Sequence, residues 1–153
     1  MKLIFKNVCL LLCLSLTSKV FAVDCESTCQ LKQVNDYFSA LDKISKKDSN
    51  IKDIDALLAL THDEVKYVHV EYQANFTKKS WREAFLRNLK RGAYKKDKEN
   101  ETRVVNSIFG KNHIAIEYSD GVVLSDGSWQ QIKPRLVIFA FTEGKISLIK
   151  ELW

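Results

Sequence analysis

Metal ligands, phosphate loops and long apolar runs are all scarce in this 153-residue chain. His62, His69 and His113 are scattered. No H-x-H, H-x3-H or carboxylate–histidine spacing joins them, so no metal site is expected. No Gly-rich phosphate loop and no Gly-x-Ser-x-Gly elbow occurs, and nothing else in the chain calls for a cofactor. Internal repeats, flexible linkers and low-complexity tracts are also missing. The longest apolar run, Val8 to Leu16, is too short to cross a bilayer, which excludes stable membrane insertion by a helix.

What that run does fit is export. Lys2 and Lys6 precede it, and Val20-Phe21-Ala22 follows with residues a signal peptidase accepts. Residues 1–22 therefore read as a secretory signal, and the working protein is expected to start at Val23, periplasmic or secreted. A lipid anchor does not fit, because Leu12 precedes Cys13 and Asp24 precedes Cys25 where a small residue is wanted. Three lysines and no acid lie in the first 22 residues, so the formal charge falls from +5 to +2 beyond them. Nucleic-acid binding loses its compositional support with that fall. Cys9 and Cys13 leave with the signal, whereas Cys25 and Cys29 enter a compartment where disulfides persist. Their C-x3-C spacing matches neither a haem site nor a thioredoxin motif, which leaves a local disulfide or two free thiols. Residues 23–153 are about the size of one domain.

The periodicity predicts a helix over about 27–46, with Leu31, Val34, Phe38, Leu41 and Ile44 on one face. Ser27 and Gln30 are placed to form a capping box. A shorter helix carries Ile54, Leu57 and Leu58. Residues 64–72 read as a strand, with Tyr67, His69 and Glu71 on one side. A third helix over about 78–91 sets Trp81, Phe85 and Leu89 four apart and stops at Gly92. A charged loop follows, and after it the turn signals at 110–112, 120–121, 126–127 and 143–144 separate antiparallel strands. Pro134 marks a bulge or an edge in the longest of them. Helices first and a meander after make the fold class α+β.

That order, ending in Phe139-Ala140-Phe141-Thr142-Glu143-Gly144-Lys145-Ile146 and Glu151-Leu152-Trp153, resembles the nuclear transport factor 2-like superfamily, its SnoaL-like members above all. Asp63-Glu64-Val65-Lys66-Tyr67, with Trp81 and Phe85 behind it, resembles the middle of the family. The resemblance spans about 34–153. It implies a curved sheet wrapped around helices as a cone with a pocket at its wide end. The family includes isomerases, dehydratases, cyclases and hydrolases, together with non-catalytic binding domains. Fold therefore does not decide function.

Four residues are candidates for such a pocket. Tyr67 and His69 lie on the strand that the family covers with helices, and His69 could serve as acid, base or donor near neutral pH. Both fit a packed core equally well. Trp81 reads as core before ligand contact. Glu117 shares a face with His113, Ala115, Val105, Ser107 and Phe109 if Lys111 centres the turn. It is either a pocket base or a surface carboxylate. Two classes of function stay open. One is an exported domain that binds a small apolar ligand or a partner; the other is a cofactor-independent isomerase or dehydratase.

The last hairpin speaks to assembly. With Glu143-Gly144 as a two-residue turn, Phe139 faces Leu148, Ile138 faces Ile149 and Leu136 faces Glu151. Both of its faces are then mainly apolar, and the helices cover only one. A homodimer through the convex sheet face is expected, with Ile138 and Ile149 at its centre.

Overall fold

A computed structural model describes residues 24–153, so the expected signal segment lies outside the described residues. The elements are α1 (Ser27–Ser45), α2 (Ile51–Ala59), β1 (Thr61–His69), β2 (Ala74–Thr77), α3 (Lys78–Lys90), β3 (Asn100–Gly110), β4 (His113–Val123), β5 (Trp129–Thr142) and β6 (Lys145–Glu151). The strands form one sheet in the order β2-β1-β6-β5-β4-β3. Strand β1 runs parallel to β6 and the other pairs are antiparallel. The fold is α+β, as the order of elements implies.

The helices lie against one face of this sheet. Val34, Tyr37, Phe38 and Ile44 of α1 and Ile54, Leu57 and Leu58 of α2 meet Ile114 and Ile116 of β4. Val137 and Phe139 of β5 and Ile146 and Ile149 of β6 complete the same core. Tyr37 and Phe38 stand edge-on to Phe139, with ring centroids 5.3 and 6.0 Å away. Helix α3 stops where Gly92 adopts φ +64°, a conformation open to glycine at little cost. Helix α2 starts at a capping box between Asn50 and Asp53, within the polar break that separates the first two helices.

Several expectations need correction. The first strand covers Thr61–His69, three residues earlier than its β-branched stretch suggests. No side chain caps α1. Glu26 is the N-cap, and the Gln30 amide donates instead to the carbonyls of Cys25 (2.7 Å) and Gly110 (3.0 Å). Cys25 and Cys29 are joined as a disulfide, which these bonds tie to the β3–β4 hairpin.

The largest corrections concern register. Lys111-Asn112 is a two-residue turn, so Gly110, not Phe109, pairs with the first residue of β4. In the last hairpin the expected turn forms and Phe141 pairs with Ile146. Ser147 then bulges out of the ladder, so Phe139 pairs with Ile149 and Val137 with Glu151. One inserted residue turns every later side chain to the other face. Ile149 is therefore fully buried in the core and cannot be a convex-face contact. Glu151 follows it inward. Pro134 does border a bulge, opposite Ser119.

Candidate functional site

The inward turn of Glu151 puts a carboxyl among aromatic rings. The residue is only 4% exposed. Its Oε2 accepts from the Tyr118 hydroxyl at 2.7 Å and from the Trp153 indole N–H at 2.7 Å. The same indole N–H also reaches the Tyr118 oxygen at 2.9 Å. No hydrogen bond among the described residues engages Oε1. Burial pushes the Glu151 carboxyl above its ordinary value, although Tyr118, Trp153 and Arg135 pull the other way. Burial likewise lifts the Tyr118 and Tyr67 phenols far above their ordinary value, with Glu151 adding to both, so each stays a neutral donor.

This carboxyl lies at one side of a cavity of about 460 Å³. Tyr67, Tyr118 and Trp153 supply its aromatic walls, and Leu41 and Ile132 its aliphatic ones. Charged groups ring the mouth. The Lys96 ammonium lies 2.5 Å from Asp42 Oδ1 and 3.1 Å from Asp120 Oδ1, and donates to the Thr102 hydroxyl at 3.0 Å. The Thr102 hydroxyl is 2.7 Å from one aspartate and 2.8 Å from the other, yet has one proton to give. Arg135 pairs with Asp120 at 2.9 Å and lies over the Trp153 ring at 4.0 Å. Burial alone would raise the Asp120 carboxyl. Thr102, Lys96 and Arg135 outweigh it and hold that group below its ordinary value.

Of the four candidates, Tyr67 lines the cavity. Trp81 does not; it is buried behind Tyr67, stacked on that ring at 4.8 Å, and belongs to the core. His69 is buried beside the site. Its ring stacks on Tyr72 at 4.3 Å and meets the Trp153 edge at 4.4 Å. Burial holds its imidazole below the ordinary value. Its Nδ1 accepts from the Tyr72 amide at 3.4 Å, and its buried Nε2 has no partner among the described residues. Glu117 is a correction. It alternates with core residues Ile116 and Tyr118, pairs with Leu136, and so lies on the face away from the helices.

Sequence reasoning missed Glu151, Asp42, Asp120, Lys96 and Arg135. The signal for Glu151 was the terminal Glu-Leu-Trp, but the regular register sent it outward. The mouth brings together residues up to 93 positions apart in the chain, from Asp42 to Arg135, and no local spacing reports that.

No family model and no curated protein matches the chain. Solved structures do. An epoxide hydrolase/cyclase-like enzyme of salinomycin pyran-ring formation superposes with TM-score 0.57 at 16% identity, over 84% of this chain and 92% of that one. An LEH-like epoxide hydrolase of M. tuberculosis gives 0.54 at 15%, over 81% of each chain. A protein of Catenulispora acidiphila with a ketosteroid isomerase-like fold, solved with trimethylamine, gives 0.54 at 14%, over 80% and 85%. The chain has the nuclear transport factor 2-like fold. At these identities the likeness fixes the architecture and leaves the chemistry to the site itself. In this nuclear transport factor 2-like fold Tyr67, Tyr118, Arg135 and Glu151 line one cavity, and burial raises the Glu151 carboxyl above its ordinary value.

Proposed function

We propose that the protein is exported and binds a small organic molecule in the cone cavity, against the Glu151 carboxyl. The observation that carries this reading is a buried glutamate held by Tyr118 and Trp153, with its second oxygen unengaged, at the wall of a cavity of about 460 Å³. A buried carboxyl with a raised pKa at the wall of a cleft is a functional-site candidate with a physical rationale. The lining alters the expected ligand. Rings and aliphatic side chains favour an apolar body, while Glu151, Arg135 and the mouth aspartates favour polar ends. The basic start, apolar run and Val-Phe-Ala of residues 1–22 support export, as does the Cys25–Cys29 disulfide.

Native mass spectrometry of the exported protein should reveal a small-molecule mass excess that Glu151→Gln and Tyr67→Leu reduce. An equal excess on all three proteins places the ligand elsewhere and ends this reading.

Proton-transfer enzymes supply a second reading, favoured by one observation. A carboxyl that is easily protonated faces a neutral phenol 2.7 Å away, an acid–base arrangement suited to an isomerase, a dehydratase or epoxide opening. Two of the structural neighbours carry epoxide hydrolase names.

Self-association belongs to the same proposal. Ile108 of β3, Ala115 of β4 and Ile138 of β5 pair in sequence across the face away from the helices, with Leu136 beside them. Ile108 is 71% exposed and Leu136 44%. Such a row favours a second copy of the sheet as its cover. Ile138→Lys should give soluble monomers in sedimentation at micromolar concentration, whereas Ile149→Lys should unfold the domain. Wild-type protein that stays monomeric as concentration rises rejects the dimer.

A further inference from the structure

The turn between α1 and α2 and the connection from α3 to β3 run side by side. An isolated parallel bridge joins Lys46 to Lys96, and the Lys96 amide donates to the Ser45 carbonyl at 2.9 Å. Between the two segments lies an open groove of about 910 Å³, whose lining shares only Lys96 with the cone cavity. Lys46, Lys47, Lys95 and Lys98 line it, with Asp48 and Asp97 the acids among them. Lys90 and Arg91, at the end of α3, immediately precede its lining residue Gly92 in the chain. Among the described residues, no carboxylate lies within ion-pair distance of any of these six cations. Lys96, by contrast, turns to Asp42 and Asp120 at the cavity mouth.

The concentration of charge is unequal to the whole. Beyond residue 22 the chain carries a formal charge of only +2, so the rest of the molecule is net negative. Helix dipoles explain Lys46 near the end of α1 and Lys90 and Arg91 at the end of α3. They do not explain Lys95 and Lys98, which lie beyond the last turn. Unneutralised cations converging on a concave surface focus their field into it.

We propose that this groove binds an extended acidic polypeptide segment of a partner protein. Three features select that occupant. A bilayer is flat, and no large apolar side chain is exposed along 46–48 or 87–98 to enter one. A compact phosphate wants a helix N-terminus or a nest of amides, whereas the start of α2, at Asn50–Asp53, is not part of the lining and is closed by its own capping box. Asp48 and Asp97 interrupt the positive lining, which suits a chain of mixed residues better than the uniform backbone of a nucleic acid.

The test is fluorescence anisotropy with a labelled peptide of alternating Glu and Ser. Wild-type protein should bind it with an affinity that falls as salt rises. Lys47→Glu/Lys95→Glu/Lys98→Glu should lose about tenfold or more, on the order of 1.4 kcal/mol. The distant triple Lys111→Glu/Lys133→Glu/Lys145→Glu makes the same change in net charge and should stay close to wild type. Circular dichroism checks folding, and the single changes Lys95→Glu and Lys98→Glu replace the triple if it fails to fold. Undetectable peptide binding at low salt overturns the proposal, as does an equal loss in both triples. Tighter groove-dependent binding of phosphatidylglycerol vesicles or duplex DNA overturns it in favour of those partners.

Discussion

Glu151→Gln should leave the fold at least as stable as wild type at neutral pH while removing function from the cavity. The glutamine keeps an oxygen for the two donors that reach Oε2, the Tyr118 hydroxyl and the Trp153 N–H, each at 2.7 Å. What it removes is a carboxylate whose charged form burial disfavours. The sign follows from linkage. A carboxyl raised in the folded state binds its proton more tightly there than in the unfolded chain. Its contribution is therefore complete below the ordinary carboxylate range and is lost as pH rises through the folded value. Each unit of upward displacement corresponds to ~1.4 kcal/mol. A domain of this size gains about 3–5 °C in melting temperature per kcal/mol. Thermal unfolding of both proteins from pH 4 to pH 8 should show a difference in favour of Gln that grows with pH. Glu151→Ala is the contrast. It leaves the buried Tyr118 hydroxyl without an acceptor, at about 1–3 kcal/mol, while the Trp153 N–H keeps the Tyr118 oxygen at 2.9 Å. Should Glu151→Gln lose more than about 1 kcal/mol at pH 7, the carboxylate is a structural acceptor held ionised by its donors, and the functional argument fails.

Gly121 tests the packing of the β4–β5 hairpin, because a Cβ there would lie 2.2 Å from the Trp129 ring. Gly121→Ala should cost about 1–3 kcal/mol in chemical denaturation, and little or nothing in a Trp129→Ala background; equal costs in both rule out the clash. Lys96→Met removes the cation shared by Asp42 and Asp120 and should destabilise the domain by about 1–3 kcal/mol at neutral pH. Asp120 is held low in the folded state, so its contribution is present above the ordinary carboxylate range and lost as pH falls through the folded value. The Lys96→Met deficit should accordingly shrink in acid, and a pH-independent deficit contradicts the assignment. The folded value of His69 is also depressed, so stability is lost as pH falls below the ordinary imidazole value. His69→Phe keeps the ring between Tyr72 and Trp153 and should reduce that acid-side loss in a melting series; an unchanged acid profile places the titration elsewhere.

How much of this was legible in the sequence turns on a single residue. Helix periodicity places Val34, Phe38, Ile44, Ile54, Leu57, Trp81 and Phe85 correctly, because a face at three- and four-residue steps survives small errors at either end. The Glu143-Gly144 turn is equally legible, since both residues adopt positive φ and the pair closes a two-residue hairpin. A strand has a period of two and no such tolerance. The bulge at Ser147 carries no local mark, yet it exchanges the fates of Ile149 and Glu151 with those the regular ladder assigns. The outward glutamate of a regular hairpin becomes the buried carboxyl of the cavity, and a supposed dimer contact becomes core. Glu117 misleads for a related reason, since a turn one residue shorter and a bulge near Val105 replace its neighbours on β3 while β4 itself keeps it outside. The cavity is thus a product of irregular pairing: were Ser147 paired regularly with Ala140, Glu151 would face solvent, Tyr118 and Trp153 would lose their shared acceptor, and Lys150 would stand opposite Val137 at the place where the cone now presents a carboxyl.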